Sequence, residues 1–143
     1  MRCDTYPLGA LGELKYVVVL SRMDGRILLS RHRERSGWET QGGHIEPGET
    51  PLAAARRELY EESGALEYDI APAFDYRAGD ERSSASGRVF RAEVRALGPL
   101  PESEMAEVRL FDALPEELTY PGITPVLFAH CGGSDALTRE ELR

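Results

Sequence analysis

Hydrophobic positions along the chain fall into short runs separated by turn residues. LKYVVVLS at 14–21 is a β-branched run of strand length. Met23-Asp24-Gly25-Arg26 supplies a hairpin turn, and ILLS at 27–30 is the returning strand. A polar, basic stretch from Arg31 to Gly37 leads to Trp38-Glu39-Thr40, a further short strand, and then to a glycine-rich loop from Gln41 to Glu49. Thr50-Pro51 next sets a helix N-terminus, with Thr50 as the cap and Pro51 at the first helical position. LAAARRELYEES carries the helix, and Gly64 stands where a left-handed C-terminal cap is wanted.

Strand-like segments follow at 66–77 and 88–96, separated by a loop from Gly79 to Gly87 expected to be mobile. Residues 98–118 read as an acidic loop interrupted by the short run Val108-Arg109-Leu110-Phe111. Thr124-Pro125 opens a second helix, VLFAH, that Gly132-Gly133 should stop, and the last ten residues are charged and peripheral. With no repeat and no long linker, the pattern predicts one domain over 1–143. Strands, helix, strands, helix give an α/β (α+β) architecture, a mixed α/β/α sandwich.

Composition narrows the function classes. Of 143 residues, 41% are hydrophobic and 29% charged, enough for a sizeable core. No apolar run approaches the ~20 residues of a membrane helix. The first twenty residues lack the apolar block of a secretory signal. Cys3 and Cys131 form no CxxC pair, which points to a reducing cytoplasm and two inert thiols. Twenty-five acidic against 17 basic residues leave a net charge of −8, which disfavours a broad grip on duplex nucleic acid. Anions remain accessible partners if a metal ion or a local basic cluster reverses the field.

The first helix concentrates the chemistry. Glu58, Glu61 and Glu62 lie at i, i+3 and i+4 and project from one side. Leu52, Ala55 and Leu59 should form an apolar stripe beside Glu62, placing the acids at the edge of the buried face. Three like charges there call for divalent cations, and oxygen ligands suit Mg²⁺ or Mn²⁺. Glycines in Gln41-Gly42-Gly43-His44 let backbone approach a metal or phosphate that a Cβ would block. Arg57 can pair with Glu61 or fold back to Glu49, and either contact would orient carboxylates.

Gly43, five residues, Glu49, seven residues, then Arg57-Glu58-Leu59-Tyr60-Glu61-Glu62-Ser63-Gly64-Ala65 resembles the Nudix box. Every charged and glycine position matches; Ala65 stands where a larger aliphatic residue is usual. The likeness covers roughly 14–118. It implies a Nudix sandwich with the box as loop–helix–loop, and Mg²⁺- or Mn²⁺-assisted hydrolysis of a nucleoside diphosphate linked to another group. By position it makes Glu61, Glu62 and the Gly42 carbonyl metal ligands, Glu58 a ligand or the base, and Arg57 and Glu49 orienting residues. Family members often recruit one more glutamate from outside the box, for which Glu104 and Glu107 are the candidates, Glu107 slightly ahead. Homodimers are common in the family.

Arg31, Arg33, Arg35 and His44 are candidates for substrate contact, set against a solvated hairpin end and a local loop hydrogen bond. Trp38 reads as a core anchor more than a base platform, and Phe74 and Tyr76 as sheet residues that could line a base pocket. Residues 82–87 are either a specificity lid or a plain hairpin connection. The resulting expectation is a nucleoside triphosphate substrate, 8-oxo-dGTP among the options, cleaved to monophosphate and pyrophosphate. The alternatives are an RNA 5′-pyrophosphohydrolase, a hydrolase of ADP-ribose or dinucleoside polyphosphates, and a sensing module that binds a nucleotide without cleaving it.

Overall fold

The computed structural model describes residues 1–131. Its strands are β1 (Arg2–Tyr6), β2 (Tyr16–Met23), β3 (Arg26–His32), β4 (Trp38–Glu39), β5 (Gln41–His44), β6 (Ala65–Gly79), β7 (Ser84–Leu97) and β8 (Met105–Phe111). Helix α1 spans Pro51–Ser63, and a second helix, α2, covers 124–131. The sheet runs β1-β6-β7-β2-β3-β4, with β5 added to β2 and β8 to β3. Among the described strands only β2 and β7 pair in parallel; the other ladders are antiparallel, so the sheet is mixed.

One edge of β2 is shared. Tyr16 to Val19 pair with β5, and Ser21 to Met23 pair with β3, so the sheet forks there. The opposite edge of β2 follows β7 from Tyr16 to Arg22. Because both faces of the sheet are covered, VVVL is apolar without alternation. Val17, Val19, Leu28, Phe90 and Val94 face α1, whereas Leu20, Ile27, Leu29, Val89, Phe74 and Tyr76 face α2 with Leu127 and Phe128. The expected α/β/α sandwich is the one observed.

The Asp24-Gly25 hairpin forms, both residues at positive φ (53° and 76°) as a two-residue primed turn demands. Several boundaries differ from expectation. β1 carries no apolar alternation of its own and is a strand because Arg2–Tyr6 pairs with Gly79–Asp75. Gln41–His44, expected as loop, is a strand because the fork leaves the first half of β2 in need of a partner. The connection expected at 79–87 shrinks to 80–83, since β6 and β7 extend their pairing to Gly79↔Ser84. Pro72 is tolerated inside β6 at a register shift, beyond the stretch that β1 covers. β8 is longer than the four residues expected. The Gly132-Gly133 stop and the charged tail lie outside the described residues.

Candidate active site

Helix α1 has the boundaries its capping residues dictate. The Thr50 hydroxyl accepts from the Ala53 amide at 3.1 Å, and Gly64, at φ 78°, donates its amide to the Tyr60 carbonyl at 2.8 Å. Ala54, Ala55 and Leu59 are fully buried against the sheet. Leu52 is not part of that stripe: it is 41% exposed, and Ala54 takes its place. At about 100° per residue, the face that contains Ala54, Ala55 and Leu59 is centred near Glu58 and Glu62. These acids therefore point into the sheet instead of lining its margin.

Two environments result. On the outer side, Arg57 grips Glu49 with both arms, Nε to Oε2 at 2.7 Å and Nη2 to Oε1 at 3.0 Å. Its Nη1 reaches Glu61 at 3.3 Å, and Nη2 also donates to the His44 carbonyl at 3.0 Å. Arg57 thus makes both contacts open to it from sequence. The bond from Arg57, helped by the Glu46 amide, holds the Glu49 carboxyl down at about 2. Arg57 itself is pushed above its ordinary range, chiefly by that same bond.

On the inner side, Glu58 is only 12% exposed and its nearest cation, Arg57 Nη1, is 3.6 Å away. Burial raises its pKa to about 7, Arg57 opposing and the charges of Glu61, Glu49 and Glu104 adding. Glu62 rises to about 8 through burial, against a hydrogen bond from the Gly42 amide to its Oε1 at 2.8 Å. The charges of Glu58, Glu39 and Glu104 push the same way. A Cβ on Gly43 would collide with the Glu58 carboxylate, and one on Gly42 with the Val17 carbonyl. Close approach to backbone requires the glycine at 42, whereas at 43 a side chain would push the Glu58 carboxylate aside.

The remaining candidates divide by sheet face. Arg31 and Glu107 lie opposite each other on β3 and β8, with Glu107 Oε1 taking Arg31 Nε at 2.9 Å and Nη2 at 2.8 Å. Their neighbours Ser30 and Val108 face α1, so this pair faces α2, away from the box acids. Glu104 ends the loop before β8 on the box side. Its carboxylate is 80% exposed and 3.4 Å from His32 Nε2, and its carbonyl accepts from the Arg33 amide at 2.9 Å. The Glu34 amide donates to His32 Nδ1 at 3.1 Å, which leaves Nε2 as the proton-bearing nitrogen aimed at Glu104.

Arg33 is exposed in the turn, Arg35 is held 3.4 Å from both oxygens of Glu39, and the His44 ring leans on Tyr16 with centroids 4.4 Å apart. Glu39 escaped the sequence reading. It is 7% exposed and shares the inner face with Gln41, a placement that two-residue alternation from Gln41 would have given. Trp38 is a core residue, edge-on to Phe111, with Arg109 over its ring.

The donor set is all oxygen, two of its carboxylates are desolvated with Arg57 beside Glu58 alone of the two, and glycine keeps the approach open. A hard divalent cation fits these residues. Among the described residues no three acidic, histidine or cysteine side chains converge as a ready cage. Glu61 is drawn toward Arg57 and Glu62 toward the Gly42 amide, so binding would have to draw them together.

A family model for the NUDIX domain matches residues 14–125. The chain belongs to the NUDIX family. Among its NUDIX relatives, YtkD of Bacillus subtilis, provisionally named an 8-oxo-dGTP diphosphatase, is 32% identical over 108 residues, 73% of this chain and 66% of that protein. An RNA pyrophosphohydrolase of Francisella philomiragia is 41% identical over 54 residues, 38% of this chain and 34% of that protein. The chain thus spans just under two thirds of the first relative's length and about a third of the second's. Among solved structures, a point mutant of the Bacillus subtilis pyrophosphohydrolase BsRppH superposes with a TM-score of 0.79 at 22% identity, over 94% of this chain and 90% of that one. That likeness establishes the NUDIX fold.

Proposed function

We propose that this chain, taken as one NUDIX domain over 1–143, is a pyrophosphohydrolase that cleaves a nucleoside triphosphate to monophosphate and pyrophosphate with water as nucleophile. The observation that carries the reading is the pairing of Glu58 and Glu62, two inward carboxylates with too little positive charge around them, beside Gly42 and Gly43. Glu58, Glu61, Glu62 and the Gly42 carbonyl would hold Mg²⁺ or Mn²⁺. Such an ion, when bound, supplies charge neutralisation of the polyphosphate and a more acidic water.

The residues of the chain divide the remaining work. Glu58 is a ligand or else the base, and in the second role it would take the proton as the water oxygen bonds to phosphorus. The bridging P–O bond breaks, and pyrophosphate leaves with its electron pair. Arg57 and Glu49 fix the loop against the helix and set the direction of Glu61. Glu104, on the box side and near enough to raise both inner acids, is the better placed of the two extra glutamates. Arg33, Arg35 and His44 stand as substrate-contact candidates. Arg31 is committed to Glu107 on the other face, and we assign it no substrate contact.

The name of YtkD favours an oxidised purine triphosphate such as 8-oxo-dGTP. RNA 5′-pyrophosphohydrolysis is the second reading, supported by the names of the shorter matches, with the net charge of −8 against it. A NUDIX domain of Shewanella oneidensis NrtR has been crystallised with ADP ribose, so binding of that class belongs among the alternatives. Two free cysteines suit a reducing cytoplasm. Among the described residues no helix is long and apolar enough to cross a membrane. A homodimer is part of this reading on family resemblance alone.

The deciding experiment is a nucleotide and 5′-triphosphate RNA panel with Mg²⁺ and product identification, the native chain beside Glu61→Gln. Metal-dependent pyrophosphate release that Glu61→Gln loses is the expected result. Tight nucleotide binding without turnover on any substrate would instead make this a sensing module.

A further inference from the structure

Where the β2–β3 register ends, at Ser21↔Leu28, the two strands part and the Gln41 side chain occupies the fork. Gln41 is fully buried, as are Ser21 and Ser30. The Ser21 hydroxyl donates to Gln41 Oε1 at 2.7 Å. Gln41 Nε2 donates to the Leu28 carbonyl at 3.2 Å and to Ser30 Oγ at 2.9 Å. The Ser30 hydroxyl then donates to the main-chain carbonyl of Glu62 at 2.7 Å. Every donor and the acceptor of the amide is used, and the opposite amide orientation would set Oε1 against the Leu28 carbonyl. The group has one orientation.

The chain of contacts closes on itself. Glu62 Oε1 accepts from the amide of Gly42, the residue next to Gln41. Glu62 is therefore held at both ends, its carbonyl through Ser30 and its carboxylate through Gly42, and the two holds trace back to the adjacent residues Gln41 and Gly42. We propose that Gln41 is a positioning residue that fixes the Glu62 carboxylate and the Gly42 carbonyl relative to each other, by bridging the fork between β3 and β5. The inference rests on the reading above that Glu62 and Gly42 belong to a divalent-cation site. A buried apolar side chain at 41 could fill the fork, but it would leave Ser30 free to turn and would break the circuit on one side.

Mn²⁺ binding, followed by the loss of free-ion EPR signal, tests this separately from turnover. The variants are Ser30→Ala, which removes a single hydroxyl, and Ser21→Ala/Ser30→Ala/Gln41→Met, which removes the three polar side chains together and takes the side-chain donors from the Leu28 and Glu62 carbonyls. Leu127→Ala, on the other face of the sheet, is the control for general destabilisation. Ser30→Ala should weaken Mn²⁺ binding and lower kcat about tenfold, at the low end for groups that orient metal ligands. KM for the nucleotide should stay within about twofold, since uniform binding is untouched. The triple variant should lose at least as much, and Leu127→Ala should lower the melting temperature without changing Mn²⁺ affinity. Native Mn²⁺ affinity and kcat in folded Ser30→Ala would overturn the proposal, as would equal losses in Leu127→Ala. Glu62→Gln separates the two levels: if it binds Mn²⁺ as the native chain does, the cation site itself is misassigned; if it does not while Ser30→Ala does, the strut alone fails.

Discussion

The two faces of the sheet solve the same covering problem with opposite chemistry. Under α2 the sheet presents Leu20, Ile27, Leu29, Trp38, Phe74, Tyr76 and Val89, and the helix answers with Leu127 and Phe128. Its ion pairs, Arg31 with Glu107 and Arg109 with Glu107, sit at the rim. Under α1 the helix meets the sheet through Ala54, Ala55 and Leu59, and the positions between them are Glu58 and Glu62. That face surrenders apolar area to bring carboxylates inward, and a hydrogen-bonded glutamine takes the place of a hydrophobic plug. One face holds the molecule together and the other is arranged for chemistry, so damage to the two should separate stability from rate.

The largest effect should come from the apolar face. Phe74→Ala removes a ring that is 4% exposed and edge-on to His130, and should cost about 3–5 kcal/mol of stability. In a urea titration its midpoint should collapse while kcat per folded molecule holds. A fall in kcat with the fold intact would mean that the two faces are coupled. On the opposite face, Glu58→Gln and Glu62→Gln should each lower kcat by at least ~10²-fold. Their melting temperatures without metal should be unchanged or higher, because each variant removes a charge that burial disfavours. Near-native rates would remove the roles assigned to both acids.

The same contrast should appear against pH. In the metal-free protein Glu58 and Glu62 titrate at about 7 and about 8, against 4.5 for an ordinary glutamate. Between those values the folded chain holds more protons than the unfolded one, so stability declines as pH rises through the window. Thermal melts in EDTA from about pH 5 to about pH 8 should show that decline, and the Glu58→Gln/Glu62→Gln double variant should flatten it. An unchanged slope in the double variant would place the two carboxylates in water.

What could be read from sequence follows from how local the cause is. Thr50, Pro51 and Gly64 satisfy helix ends by contacts within a few residues, and α1 begins and ends where they say. Asp24-Gly25 fixes its own turn. β1 and β5 were illegible because each is a strand only by virtue of a distant partner, β6 for one and the first half of β2 for the other. The box acids were legible as a set through their spacing, but not their direction. Helix periodicity gives which residues share a side, whereas the sheet decides which side is buried, and Leu52 was the casualty. Gln41 was missed because a glycine-rich string has no visible alternation until the strand is known, and Glu39, in a short strand that was expected, because two residues do not say which face is covered.

Glu104 and Glu107 carry the comparison down to two residues three apart. Sequence put Glu107 slightly ahead because it adjoins the short strand, yet alternation along β8 turns it to the α2 face. There Arg31 uses Oε1 twice, and Arg109 lies 3.6 Å from Oε2. Glu104 precedes the strand, so its direction is set by the loop, and its carboxylate rests against His32. A carboxylate this exposed can swing toward a cation that Glu58 and Glu62 would hold, whereas Glu107 would have to break a two-armed arginine contact and cross the sheet. Glu104→Gln should therefore weaken Mn²⁺ binding and kcat about tenfold, the scale of losing one supporting carboxylate. Glu107→Gln should leave both within about twofold and cost under about 1 kcal/mol of stability, as partly exposed ion pairs do. Measured side by side under one metal titration, the reverse order would mean that the face assignment of β8, not merely the choice of ligand, has been misread.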